Sequence, residues 1–253
     1  MNQNRSKPPD DKIHAWLLHS RPFRETSLLL DFFSLERGRF SAIARGVRAA
    51  KNPRRALLQP FTPLSLGVAG KTDLLTLKAV DADGPALLLS GAALFSALYV
   101  NELMTRLLSG VEPEPLLFAH YENTLHALQS GGDVEVALRL FELQLLDVLG
   151  YGVDFAHDAE HGAAVEAQAH YYWHGESGLV RQHDTAATTS REHPLYGGAE
   201  LLAIAQRDFS QVATRRAAKA LLRQLLGKHL GERELASRAL FRPAKAEWRR
   251  ASR

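Results

Sequence analysis

The chain of 253 residues contains no cysteine. Disulfide frameworks, cysteine-based zinc sites, iron–sulfur ligation and thiol nucleophiles are therefore excluded, and the absence fits a reducing cytosol. No stretch approaches the roughly 18 consecutive apolar residues of a membrane span. The start, MNQNRSKPPDDK, is polar and lacks the apolar centre of a secretory signal. There is no internal repeat of fixed period. Catalytic motifs are also missing: no GxSxG, no HExxH, and no GxGxxG at a strand-to-helix turn. Gly70-Lys71-Thr72 resembles the end of a phosphate-binding loop, but Ser65 stands where the first glycine is required, and Thr72–Val80 reads as a strand. His157 with His161 and His170 with His174 have the spacing of a helical metal pair, yet their Gly-rich, strand-like surroundings argue against a helix. The sequence thus calls for no metal, no cofactor and no enzyme chemistry.

What is present is charge in blocks. The formal net charge of +3 comes from 31 Lys and Arg against 28 Asp and Glu. Residues 1–80 carry 14 basic and 6 acidic side chains, residues 81–206 carry 4 and 18, and residues 207–253 carry 13 and 4. The blocks are therefore basic, acidic and basic in order, an asymmetry that points to a polyanionic partner.

The hydropathy pattern divides the chain in a similar way. After a leader over residues 1–12, expected to be disordered, five short runs read as strands: Ile13–Ser20, ended by Arg21-Pro22; Thr26–Ser34; Arg39–Arg45; Phe61–Val68; and Thr72–Val80. Five strands in about 70 residues predict a small barrel over residues 13–81, an OB-fold or an SH3-like barrel. Asp83-Gly84-Pro85 marks a boundary. Helical spacing follows at Ala92–Ser109, Glu114–Gln129 and Val134–Leu149, the last capped by Asp133 and ended by Gly150, and short loops predict that these helices form a bundle. Residues 151–195 read as an irregular insert with a weak strand pair near His170–Trp173 and Gly178–Gln182. Helices resume at Ala199–Gln206 and Gln211–His229. The fold class is α+β: an N-terminal barrel, then a helical domain over residues 82–253.

Two basic features stand out. Arg37, Arg39, Arg45, Arg48, Lys51, Arg54 and Arg55 fall within residues 37–55, a span without a single acid. Such a cluster suits a nucleic-acid backbone, and Trp16, Phe40 and Phe61 are candidate stacking platforms, although each taken singly fits a core better. On the last helix, at 100° per residue, Arg215, Lys219, Arg223 and Arg216 span an arc from 0° to 100°, and Val212 and Leu226 fall inside it. A cationic face with an apolar notch suits either an acidic peptide ending in an aromatic residue or a phosphate backbone.

The segments HSRPFRETSLLLDFFSLERGRFSAIARGVR (19–48), LQPFTPL (58–64), LYVNELMTRLL (98–108), ALRLFELQLLDVLGYG (137–152) and RAAKALLRQLLGKHLGERELASRALFR (216–242) resemble the RecO family of bacterial recombination mediators. The resemblance covers nearly the whole chain from about residue 13. It implies an N-terminal OB-fold and a helical C-terminal domain. It implies binding of single- and double-stranded DNA, annealing of complementary strands, and work with RecR to load RecA onto DNA coated by single-stranded DNA-binding protein. The implied setting is a cytoplasmic, nucleoid-associated monomer without a membrane partner. With that reading, Arg37, Arg39, Arg45, Arg48, Lys51, Arg54, Arg55 and Lys71 are expected to form the DNA face. The acidic tail of single-stranded DNA-binding protein is expected to meet Arg139, Val212, Arg216, Lys219, Arg223 and Leu226. Some members carry a cysteine zinc site in the insert, which this cysteine-free chain cannot build. The residues alone also admit an RNA-binding OB-fold protein acting in translation or RNA processing, because phosphate contacts do not separate RNA from DNA. A metal-dependent nuclease is disfavoured, since the six acids of the first block are not grouped.

Overall fold

The computed structural model describes residues 12–49, 52–110, 112–175, 177–182, 194–231 and 233–241. The expected leader over residues 1–12 lies, apart from Lys12, outside the described residues. The chain divides into two compact units, Met1–Gly132 with Arg233–Arg253, and Asp133–Glu232.

The first unit is built on five strands: β1 (Ile13–Phe23), β2 (Ser27–Ser34), β3 (Gly38–Ala44), β4 (Pro63–Ala69) and β5 (Leu74–Ala82). They close in the order β1-β2-β3-β5-β4, with β3 and β5 parallel and β1 pairing β4. That topology is the OB-fold and resolves the choice the period leaves open. The core follows from strand alternation: Leu30 and Phe32 on β2, and Phe40, Ala42 and Ala44 on β3, point inward to meet Ile13, Ala15 and Leu17 of β1. A short helix, α1 (Arg54–Leu57), lies between β3 and β4.

β1 runs further than the sequence suggests. Arg21-Pro22 does not end it; Pro22 pairs with Leu28, and the strand continues to Phe23. β4 covers only Ile13–Trp16, so the far part of β1 pairs with β2 alone. A proline is tolerated there because its missing N–H faces an unpaired edge.

Two helices of the same unit, α2 (Gly91–Leu107) and α3 (Pro115–Gln129), pack beside the barrel. Trp16 and Phe33 on the barrel's outer face meet Phe118 and Tyr121 of α3, with ring centroids 5.6–6.0 Å apart. Asn101 of α2 donates to the carbonyls of Leu17 and Leu18, where β1 bulges, and accepts from the Tyr121 hydroxyl at 2.7 Å. The short 3-10 helix Ala236–Phe241 is tied to α2, because the Glu102 carboxylate accepts from the amides of Ala236 and Ser237 and from the Ser237 hydroxyl.

The second unit contains α4 (Val134–Val148), α5 (Gly198–Ala205) and α6 (Val212–Leu230), with α4 and α5 both packed on α6. Asp133 caps α4 as expected, accepting from the amides of Glu135 and Val136. At the other end Gly150 adopts φ 77° and the Tyr151 amide reaches back to Leu146. Of the three successive helices expected to bundle, α2 and α3 belong to the barrel's unit, where they pack on β1 and on the barrel's outer aromatics, and α4 belongs to the other unit. The irregular insert holds a three-stranded sheet, β7-β6-β8, of β6 (His170–His174), β7 (Gly178–Arg181) and β8 (Leu195–Gly197). The C-terminal domain is therefore mostly rather than wholly helical. β8, at three residues, is too short to show a period.

Candidate nucleic-acid interface

The outer face of β1, β2 and β3 can be read from the strand register. Arg21 lies opposite Leu29, and Leu29 opposite Ile43; His19 lies opposite Asp31, and Asp31 opposite Ser41; Trp16 lies opposite Phe33, and Phe33 opposite Arg39. The last row is covered by α3 through Trp16 and Phe33. The others run on to the β1–β2 hairpin, where Phe23, Arg24, Glu25, Thr26, Ser27, Ile43 and Arg45 line an open concavity. Two of the lining residues, Arg24 and Arg45, are cations and one, Glu25, is an acid. Arg48 is bonded to the turn beside them, Arg21 lies on the same strand face, and all four arginines are exposed.

The hairpin is held in an uncommon shape. Arg24 adopts φ 53°, a left-handed conformation costing a non-glycine residue about 1–2 kcal/mol. Arg48 supports it from outside, donating to the carbonyls of Arg24 and Glu25 at 3.1 and 3.0 Å, while the Arg48 amide bonds Thr26. Arg48 is thus both a surface cation and a prop for the turn.

The cluster contiguous in sequence is not contiguous in space. Arg37 lies at the start of β3, beside Glu36, and Arg45 just past its end, about 26 Å away at about 3.3 Å per residue. The start of β1, near Arg37, is acidic: Glu36 hydrogen-bonds His14 at 2.6 Å, Asp83 lies 3.5 Å from the same ring, and Glu122 accepts from the Trp16 indole. The Glu36 hydrogen bond outweighs burial and raises the His14 pKa above its ordinary value. Arg39 is turned inward. Its guanidinium donates to the Leu108 carbonyl at 2.6 Å, at the C-terminus of α2, and lies 3.8 Å from the buried Asp31. It pins α2 to the barrel, where a helix end welcomes a cation. Arg54, Arg55 and Lys71 are exposed, on α1 and at the β4–β5 turn. Lys51 lies outside the described residues. Arg45 and Arg48 are the expected cations that the geometry gathers at the concavity.

Trp16, Phe40 and Phe61 are all buried and cannot receive bases. Arg21, Phe23 and Arg24 are the residues that the sequence pattern alone does not nominate. They flank Pro22, where a proline ordinarily ends a strand, and the polar run from His19 to Pro22 carries no alternation that would extend the strand to them.

On α6, Arg216, Lys219 and Arg223 are exposed, as is Val212 at 52%. Lys219 faces Glu135 at 3.2 Å. Leu226 is fully buried, because α6 packs on both α4 and α5 and its apolar arc is wider than one neighbour requires. Arg139 is also buried and pairs with Glu142 at 2.7 Å, one turn along α4. Neither reaches the surface that carries Val212. Among the described residues no group of three or more His, Asp or Glu is placed to hold a metal ion, and no helix is long and apolar enough to cross a membrane.

Comparison with known proteins places these features in a family. The model for the N-terminal part of recombination protein O matches residues 11–84, and that for its C-terminal part matches residues 88–239. The DNA repair protein RecO of Pseudoalteromonas atlantica is 40% identical over 232 residues, which is 92% of this chain and 94% of that protein. The protein of the same description from Haemophilus influenzae (strain PittGG) is 43% identical over 227 residues, 90% of this chain and 94% of the relative. That of Pseudomonas paraeruginosa is 45% identical over 228 residues, 90% and 93% of the two chains.

Proposed function

The chain belongs to the RecO family of DNA repair and recombination proteins, and from that premise we propose that it is a DNA-binding mediator that anneals complementary strands. With RecR, it helps load RecA onto DNA coated by single-stranded DNA-binding protein. The observation that carries this reading is the open concavity at the β1–β2 hairpin of an OB barrel, lined by Arg24 and Arg45 with Arg48 bonded to its turn. Annealing requires no covalent chemistry. It requires that two polyanions approach one another, which Arg21, Arg24, Arg45 and Arg48, with Arg54, Arg55 and Lys71 as flanking cations, achieve by replacing counterions. The direct experiment is annealing of complementary strands coated with single-stranded DNA-binding protein, with and without this chain.

Arg45→Glu with Arg48→Glu should lower the affinity for single strands and reduce the slope of log K against log salt by about 0.7 for each phosphate no longer neutralised. Arg37→Glu, made at the acidic end of the barrel, should do less. Unchanged affinity and slope in the Arg45/Arg48 variant would remove the barrel as the DNA site.

The α6 face is proposed as the dock for the acidic tail of single-stranded DNA-binding protein. Arg216, Lys219 and Arg223 would meet its carboxylates, and Val212 its terminal aromatic side chain. The tail must displace Glu135 from Lys219. In titrations of a labelled tail peptide, Lys219→Glu and Arg223→Glu should each weaken binding by about two- to fivefold, the range for exposed ion pairs. Wild-type affinity in both would leave α6 free to bind DNA instead.

A further inference from the structure

We propose that Phe23 and Arg24, at the tip of the β1–β2 hairpin, form a clamp that stacks an unpaired base. The ring is the platform, and the guanidinium gives way to or sandwiches the base. The inference rests on the proposed DNA role of the barrel and deepens it, by naming what the site takes: an unpaired nucleobase.

Three observations converge on this pair. Among the described residues of the barrel, Trp16, Phe32, Phe33, Phe40 and Phe61 are buried, whereas Phe23 is only half-buried and lines the open concavity. It is therefore the barrel aromatic that a base can reach. The Arg24 guanidinium lies over that ring, 5.3 Å from its centroid, an arrangement in which a flat cation already occupies the place of a flat base. Arg24 also holds φ 53°, where glycine or asparagine would sit without strain. The strain is kept in place by the Arg48 side chain, which bonds two successive carbonyls of the turn. A strained residue fixed by its surroundings at an open site is a mark of a preorganised binding group.

The neighbours fit the rest of a nucleotide. Ile43 and Ser27 line the concavity beside the ring, and so do Arg45, whose charge suits a phosphate, and Glu25, whose charge keeps the backbone to the Arg45 side. Stacking engages the face of a base and leaves its pairing edge outward. A strand held in this way is bound yet still able to pair, which is what annealing demands. In a duplex the base faces are already stacked on one another, so the clamp discriminates for unpaired strands, whereas the surrounding cations do not.

The test compares a single-stranded oligonucleotide and its duplex, each binding the full chain carrying Phe23→Leu, Phe23→Trp or Arg24→Gly. Phe23→Leu should weaken single-strand binding by about fivefold or more, the alanine-scan range for one stacked base. Duplex affinity and the salt slope should be unchanged. Phe23→Trp should restore single-strand binding. Quenching of a 2-aminopurine in the bound strand should be present with the wild type and Phe23→Trp and absent with Phe23→Leu. Arg24→Gly should raise the thermal midpoint, because strain is relieved, and yet lose single-strand affinity. Equal losses on both DNA forms with Phe23→Leu, or none on either, would overturn the clamp. If Arg45→Glu with Arg48→Glu abolishes binding while Phe23→Leu changes nothing, the clamp alone fails; if the arginine variant is also silent, the barrel reading fails with it.

Discussion

Arg139→Met is expected to destabilise the second unit by about 3–5 kcal/mol, the cost of breaking a buried ion pair by removing one partner. Arg139 is 7% and Glu142 2% exposed, and the Arg139 guanidinium donates to the Glu142 carboxylate at 2.7 Å. Removing the cation takes from the buried Glu142 carboxylate the charge-assisted hydrogen bond that offsets part of its desolvation. The double variant Arg139→Met with Glu142→Leu should recover most of the loss, within about 1–2 kcal/mol of the wild type, because the pair's own attraction is largely spent on its desolvation. Urea midpoints of the three proteins decide it. A cost below about 1 kcal/mol for Arg139→Met would mean that water or other groups of the protein satisfy the Glu142 carboxylate without the guanidinium. The outcome also governs any docking experiment: weaker tail binding by an Arg139 variant reports unfolding of the unit, not the removal of a residue that touches the tail.

Arg139 shows where the sequence is legible and where it is not. A cation alone in an acidic stretch looks like a surface residue held for a partner, and only its neighbour one turn along, Glu142, hints otherwise. Leu226 misleads in the opposite sense. A helical wheel assigns an outside from the charges, but α6 packs on two helices, and the second burial arc swallows a position that the wheel leaves among arginines. The barrel is readable because alternation in TSLLLDFFS and RFSAIAR is a local consequence of the pleat. Its strand ends are not, because whether Pro22 can sit in a strand depends on whether β4 reaches that far. Likewise a run of cations is one cluster in sequence, but the length of β3 carries Arg37 to the acidic end of the barrel and Arg45 to the basic one. The Asp133 cap is readable because an N-cap is decided within three residues.

The second large effect lies where the helices meet the barrel. Asn101→Ala should cost the first unit roughly 3 kcal/mol, because one substitution strips several buried groups at once, each worth about 1–3 kcal/mol when left unmade. The Asn101 amide donates to the carbonyls of Leu17 and Leu18 at 3.4 and 3.1 Å, and its oxygen accepts from Tyr121. Asn101 is 2% exposed and Tyr121 fully buried. Burial holds the Tyr121 pKa well above its ordinary value, so the phenol stays a donor throughout the working pH range. Tyr121→Phe removes only one hydroxyl and should cost about 1–2 kcal/mol. Because the two side chains share a bond, the double variant should cost less than the two single costs added, with a coupling of about 1 kcal/mol in a cycle of denaturation midpoints. Additive losses would mean that Asn101 acts through β1 alone. The distinction matters beyond stability. The Leu17–His19 bulge that Asn101 grips is where β1 changes register on β2, and the same strand ends at Phe23. If the grip sets that register, Asn101→Ala should also weaken single-strand binding at temperatures where the unit remains folded, although Asn101 itself is buried where α2 packs on β1. An unchanged affinity under those conditions would show that the hairpin and its Arg48 prop hold the site without help from the helices.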